Sequence, residues 1–257
     1  RRYATDPGIR VELGEPVAPE AGDAQLRYRV YSGGRMYWTP PAGAHEVHGA
    51  IAATFVAEGG HLRHGAPLTD ESVTPDAVGR YNHFAAGTSV YWTPSTGARQ
   101  VGGDIRSLWS AMGWELGVHG YPRSSERATP NGRGRYNDFQ NGGIYWLPGL
   151  GARSVHGEIY RTWARFGWEG GRLGFPLTNE TSTPDGAGRY NHFEGGSVYW
   201  TPATGAHQIE GAIRERWASL GWERSYLGYP TSDEYTVPGG RRSDFQGGSI
   251  TWDAVSR

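Results

Sequence analysis

A block of about 54 residues recurs along the whole chain, and no other feature constrains the fold as much. A unit this short cannot bury its own apolar face, so neighbouring units must share a core. Five tryptophans mark the period: Trp38, Trp92, Trp146, Trp200 and Trp252, spaced 54, 54, 54 and 52 residues apart. The units run 13–63, 64–118, 119–172, 173–226 and 227–257.

Each unit is predicted to be a hairpin followed by a helix. In the clearest copy, Arg189 to Phe193 and Ser197 to Thr201 flank Gly195-Gly196, which reads as a two-residue primed turn, and Asn141-Gly142 takes that place in the third unit. That turn would pair Phe193 with Val198 and Asn191 with Trp200. Ile209, Ile213, Trp217 and Leu220 follow at helical spacing, and Gly221 before Trp222 reads as a glycine stop with its hydrophobic contact. The fold class is therefore an α+β repeat protein of five hairpin-plus-helix units, one domain over residues 1–257. The fifth unit stops before its helix, which predicts closure into a pseudo-fivefold, propeller-like ring with residues 1–12 completing the last unit.

Composition removes several function classes. The 25 basic and 26 acidic residues nearly cancel, and no basic tract could follow a row of phosphates, so nucleic acid is not an expected partner. There is no cysteine, which excludes a disulfide framework or a cysteine zinc site. No stretch approaches the roughly 18 consecutive apolar residues of a membrane span. Gly-x-Ser-x-Gly, Walker and His-Glu-x-x-His motifs are all missing, and His45-Glu46-Val47-His48 has the wrong spacing for a zincin. Neither a catalytic set, a metal site nor a cofactor is expected.

The Leu173-Gly174-Phe175-Pro176 tetrapeptide, with its downstream glycine-rich hairpin and tryptophan, is similar to the LGFP repeat family, and the likeness spans essentially the whole chain. Such repeats occur in actinobacterial exported proteins, often appended to mycoloyltransferases or peptidoglycan amidases, where they attach the protein to the cell wall. The resemblance implies a secreted or wall-associated protein, its signal peptide outside this chain, that binds envelope polysaccharide. It supplies no ligand-contact residues.

Comparison among the five units separates scaffold from candidate site. On one hairpin face the columns of Phe193, Val198 and the five marker tryptophans are apolar throughout and predict core; Asn82, Asn137 and Asn191 beside them predict buried groups that fix the hairpin. The other face carries Tyr81, His83 and Tyr91, then Tyr136, Asp138 and Tyr145, then Tyr190, His192 and Tyr199. Polar groups between aromatic rings suit a sugar, because ring faces cover C–H patches while His, Asp and phenol groups bond hydroxyls. The same tyrosines could equally pack against an adjacent helix. Ordinary histidines there would make binding depend on pH between about 5 and 8.

A charged pair also recurs: Glu71 with Arg80, Glu126 with Arg135 and Glu180 with Arg189, echoed by Glu20 with Arg27 and Glu234 with Arg241. Five copies point to a structural brace, expected as a bidentate clamp. The leading expectation is thus a non-catalytic polysaccharide-binding module whose weak sites add by avidity. A glycan hydrolase using the repeated Glu and Asp, and a protein-interaction scaffold, are the alternatives from other classes.

Overall fold

The computed structural model describes residues 2–253. They form two compact units, one running up to Arg127 and including Asn137–Gln140, the other comprising Ala128–Tyr136 and Asn141 onward, so the division falls inside the third repeat.

The fourth repeat shows the architecture. Strands Thr181–Ser182, Arg189–Phe193, Gly196–Thr201 and Gly205–Glu210 form an antiparallel meander in sequence order, followed by the helix Gly211–Leu220 and a single 3-10 turn, Trp222–Arg224. The first and second repeats have the same four-stranded order, and the third carries the corresponding strands and helix along its sequence. The fifth has three strands, ending at Asp253. Each repeat is therefore a small sheet, not a hairpin alone.

The extra long strand was hidden by coincidence of spacing. Gly205, at φ +81°, turns the chain back so that His207 pairs with Tyr199 and Gln208 with Val198. Ile209 is an inward side chain of this strand, whereas Ile213 and Trp217 belong to the helix that starts at Gly211 (φ +50°). The helical period continued into a strand because both elements face the same core.

The hairpin register also differs from expectation. Phe193 pairs with Gly196 and Asn191 with Val198, which leaves Glu194-Gly195 as the turn. Neither Gly195 nor Gly196 has a positive φ, so the turn is not of the primed type. The glycines are needed for close approach instead: a Cβ on Gly195 would lie 2.1 Å from the Arg172 carbonyl, and one on Gly196 2.7 Å from the Ile209 carbonyl. The shift is even, so each side chain keeps its face.

Core residues come from consecutive repeats. Tyr145, Val155, Ile159 and Trp163 of the third pack with Leu173, Phe175, Phe193 and Val198 of the fourth; Tyr199, Ile209, Ile213 and Trp217 of the fourth pack with Leu227, Tyr229 and Phe245 of the fifth. In the other unit, Val47, Ile51 and Phe55 join Phe84 and Val90 in the same way. The fully buried tryptophans are Trp109, Trp163 and Trp217 on the helices. The marker tryptophans expected in the core lie nearer solvent, and Trp38 is 40% exposed.

Polar ties reinforce this sharing. Asn82 donates its amide to the carbonyls of Thr69, in its own repeat, and Glu46, in the preceding one, at 2.9 and 3.1 Å; Asn137 does so to Ser124 and Gln100, and Asn191 to Thr178 and Ser154. These buried amides join successive sheets more than they fix their own hairpins. Tyr121 and Tyr229, at the third position of the LGFP tetrapeptide, reach back in the same sense to Asp76 and Asp185 in the preceding repeat's Pro-Asp turn.

The repeated ion pairs of the first, second, fourth and fifth repeats meet, but not as bidentate carboxylate clamps; the shortest is Arg241 Nε to Glu234 Oε1 at 2.5 Å. Arg80 approaches Glu71 at 3.6 Å and Arg189 approaches Glu180 at 3.7 Å, single long contacts from half-exposed guanidiniums. The carboxylates make their shorter contact elsewhere: Glu180 Oε2 accepts from the His156 backbone N–H at 3.3 Å, again across a repeat boundary. Glu126 and Arg135 fall in different compact units.

At the other end, the helix Pro7–Leu13 covers the first sheet through Ile9 and Leu13, which pack on Tyr31 with Met36 and Tyr3 beside them. Leu13 stands to Gly14 as Leu173 stands to Gly174, so this helix holds the sequence position of the single turn Trp168–Gly170 and the link after it, not that of the helix Gly157–Arg165.

Candidate functional site

In the fourth repeat the second sheet face becomes one wall of a cleft of about 540 Å³ lined by Pro184, Tyr190, His192, Tyr199, Gly221, Trp222, Glu223 and Arg224. Tyr190 stacks on Tyr199 with ring centroids 5.1 Å apart, and Tyr199 meets Trp217 edge-on at 4.7 Å. Tyr199 is 3% exposed and is therefore floor and core at once; Tyr91 and Tyr145 are equally buried in their repeats. Tyr190, like Tyr81 and Tyr136, is half-buried.

The polar groups form a connected trio. Arg214 Nε donates to Ser197 Oγ at 2.6 Å, and Ser197 Oγ lies 2.7 Å from His192 Nδ1. The guanidinium also approaches Nδ1, Nη2 being 3.4 Å away. Arginine only donates, so the serine hydroxyl accepts from Arg214 and turns its hydrogen to Nδ1, which places the imidazole proton on Nε2. Burial and the adjacent Arg214 pull His192 down to about 4, so the ring stays neutral above pH 5. Nε2–H is then a hydrogen-bond donor for a bound hydroxyl.

An indole completes the cleft. Trp222 lies 5.6 Å from the His192 ring, is stacked on Tyr199 at 6.0 Å, and has the Arg214 guanidinium 5.3 Å over its face. Its φ is +58°, a left-handed conformation that costs a bulky residue about 1–2 kcal/mol. The outlier recurs at Trp114 (+55°) and Trp168 (+52°), each following a helix stop.

The second repeat reproduces the constellation. Arg106 Nε donates to Ser89 Oγ at 2.5 Å, Ser89 is 2.7 Å from His83 Nδ1, Trp114 lies 5.5 Å from His83 and 5.1 Å from the Arg106 guanidinium, and His83 is likewise lowered to about 4. The third repeat does not. Gly143 and Tyr160 stand at the serine and arginine positions, and Asp138 is paired with Arg127 at 2.7 Å. Of the three expected sites, two therefore share one chemistry and the third departs from it.

Sequence reasoning found the tyrosines and histidines but missed Ser89, Arg106 and Trp114 with their counterparts Ser197, Arg214 and Trp222. A signal existed in the combination of the three, which repeats two and four share, although the tryptophan alone recurs as Trp168 and the serine alone as Ser249. A separate cleft of about 450 Å³ sits in the first repeat, where Arg2 and Tyr3 approach Tyr28, Tyr37 and Trp38.

Among the described residues no helix is long and apolar enough to cross a membrane. No curated protein matches the sequence. Two solved structures superpose weakly: the extracellular domain of a hybrid two-component system from B. thetaiotaomicron, 9% identical over 90% of this chain and 26% of that one with a TM-score of 0.17, and BamB from Moraxella catarrhalis, 10% identical over 90% of this chain and 58% of that one with a TM-score of 0.15. The chain thus spans about a quarter and somewhat over half of those two proteins. The LGFP repeat, a cell-wall-associated domain type, matches at residues 13–61, 65–117, 120–171, 173–225 and 227–256. With five copies over nearly its whole length, the chain belongs to the LGFP repeat family.

Proposed function

We propose that the chain is a non-catalytic module, exported to the envelope, that binds cell-wall polysaccharide through the cleft of the fourth repeat and the matching constellation of the second. The observation that carries this reading is the duplicated constellation of His, Ser, Arg and a left-handed Trp beside stacked tyrosines. A half-buried indole and half-buried phenol rings suit the C–H patches of a sugar, while the imidazole Nε2–H and the guanidinium meet its hydroxyls. Two such sites on one chain raise avidity for a polymer with a repeating structure.

Co-sedimentation with isolated wall polysaccharide tests it. Trp222→Ala is expected to weaken binding by roughly 1–2 kcal/mol, the scale of a lost stacking contact, and the Trp114→Ala, Trp222→Ala double variant to lose far more through avidity. Asp138→Asn should bind like the parent. Binding is expected to stay flat from pH 5 to 8 and to change only as the pH falls toward 4, where His83 and His192 take up a proton. A double variant that melts like the parent and still sediments with the polymer overturns the reading.

One observation favours the hydrolase alternative: Glu223 lines the fourth-repeat cleft, and burial raises its carboxyl above the usual range, as a general acid requires. Release of reducing ends in the same incubation, lost in Glu223→Gln, would establish it. Closure of the five repeats into a pseudo-fivefold ring, residues 1–12 completing the fifth, belongs to the same proposal. Its support is the helix Pro7–Leu13, which covers the first sheet from the sequence position that the turn Trp168–Gly170 holds before the fourth repeat. Solution scattering is expected to give a radius of gyration of about 18 Å, the value for a compact chain of this length; a substantially larger one indicates an open array.

A further inference from the structure

Each later repeat holds the outer edge of the preceding repeat's last strand in the same seat. For the strand Gly151–His156, the Ser154 N–H donates to Asn179 Oδ1 at 3.0 Å, and the Ser154 carbonyl accepts from the Asn191 amide and the Glu180 backbone N–H, both at 3.1 Å. The His156 N–H completes the set by donating to Glu180 Oε2 at 3.3 Å. Glu46 and Gln100 are held likewise, their N–H groups by Asp70 and Ser125 and their carbonyls by Asn82 and Asn137, while Gln208 and Glu210 donate to Asp233 and Glu234. A strand edge paired in this way is closed to other chains.

The first repeat has the seat without the strand. Ala18, Glu20, Arg27, Arg29 and Trp38 stand at the positions of Thr178, Glu180, Arg189, Asn191 and Trp200, and all but Ala18 line the cleft of about 450 Å³. The Glu20 side chain is 59% exposed, whereas Glu71, Glu180 and Glu234 are 6, 5 and 7% exposed beneath their strands. Arg29 Nε donates to the Ala18 carbonyl at 3.1 Å, as Asn191 donates to Thr178, but among the described residues its Nη groups meet no carbonyl or carboxylate. Tyr3, also in the cleft wall, precedes Leu13 by ten residues as Trp163 precedes Leu173. Its hydroxyl donates to the Gly14 carbonyl at 2.8 Å, as the Trp163 indole does to Gly174 at 3.1 Å. The end of a preceding helix is thus matched beside the seat, and the strand is not.

We propose that this seat docks an extended peptide strand of another protein, with a carboxylate side chain at the position of Glu46. The form of the strand follows from the four already seated, which read Gly-Ala-His-Glu-Val, Gly-Ala-Arg-Gln-Val, Gly-Ala-Arg-Ser-Val and Gly-Ala-His-Gln-Ile. Main-chain contacts supply affinity in such docking and side chains supply choice. Two substitutions set the choice here. Pro19 stands where Asp70, Ser125, Asn179 and Asp233 accept a strand N–H, and Arg29 replaces a neutral amide by a cation. Arg2 is paired with Asp70, and Arg27 faces Glu20 at 3.5 Å, which leaves Arg29 as the guanidinium that an acidic side chain would meet. A second folded copy is not the occupant, because its four strands of this type are already seated. The seat lies in the first repeat and does not depend on the glycan reading.

The test is an NMR titration of the whole chain with the heptapeptide Gly-Ala-His-Glu-Val-His-Gly, the sequence of residues 43–49, and with its Glu-to-Gln form. Saturable shifts are expected at the Glu20 and Arg29 amides and the Trp38 indole N–H. The acidic peptide should bind about fivefold tighter, the upper end for a charge pair still partly in solvent. Arg29→Asn installs the residue that the second, third and fourth repeats carry, so it should keep binding and lose the preference; Glu20→Ala should weaken both peptides. Absence of shifts at millimolar peptide, as for a seat already filled in solution, overturns the proposal. So do shifts centred on Asp70 and Asn82, which would mean exchange with the chain's own strand in the second seat, and an Arg29→Asn variant that retains the parent's preference.

Discussion

Trp217→Ala is expected to destabilise the protein by about 3–5 kcal/mol, a large share of the stability of a typical domain. The side chain has no exposed surface and lies at the junction of two repeats: Tyr199 and Trp222 meet it edge-on at 4.7 and 5.2 Å from the fourth, and Phe245 packs at 5.3 Å from the fifth. Truncation would leave a cavity bordered by both sheets and remove the support behind the Trp222 indole. Denaturant unfolding followed by fluorescence measures the loss. If the fourth and fifth repeats share one core, they should shift together in a single transition; a loss below about 1 kcal/mol, or a fifth repeat that melts unchanged, would contradict the shared core.

The second large effect is expected at a polar side chain. Asn191→Ala removes both amide hydrogen bonds that join Ser154 and Thr178, a cost on the order of 1–3 kcal/mol for the pair, the Ser154 carbonyl keeping only the Glu180 backbone N–H at 3.1 Å. Arg189→Ala, by contrast, should change stability by less than about 1 kcal/mol, because its 3.7 Å contact with Glu180 is made by a half-exposed guanidinium in high dielectric. Parallel unfolding curves of the two variants decide the matter. Equal losses would mean that the ion pair within the fourth repeat matters as much as the amide that joins it to the third, and would contradict this reading.

That contrast shows where the sequence was legible and where it was not. Periodicity located all five repeats, their helices and the glycine stops, since those depend on residues close in the chain. The Asn and Glu columns were recognised as structural, but their partners lie one repeat away, 37 residues in the case of Asn191 and Ser154, and nothing local specifies that reach. Ile209 was assigned to a helix because strand and helix present the same core to one another. The site was read in half for a related reason: His192 and Ser197 sit on adjacent strands, whereas Arg214 and Trp222 arrive from the helix and the turn beyond it. Trp222 looked like an ordinary hydrophobic stop, and only its positive φ distinguishes it.

The junction between repeats also bears on how such a protein can lengthen or shorten over evolutionary time. Because every core is half donated by the following repeat, and every bridging amide addresses the repeat before it, the segment that folds together is offset from the segment that recurs in the sequence. Gain or loss of one whole 54-residue period returns each surface to an equivalent partner, wherever in the repeat the crossover falls. Any other increment presents a sheet with the wrong helix. Array length in this architecture is therefore quantised, and recombination can change the number of clefts without redesigning any one of them.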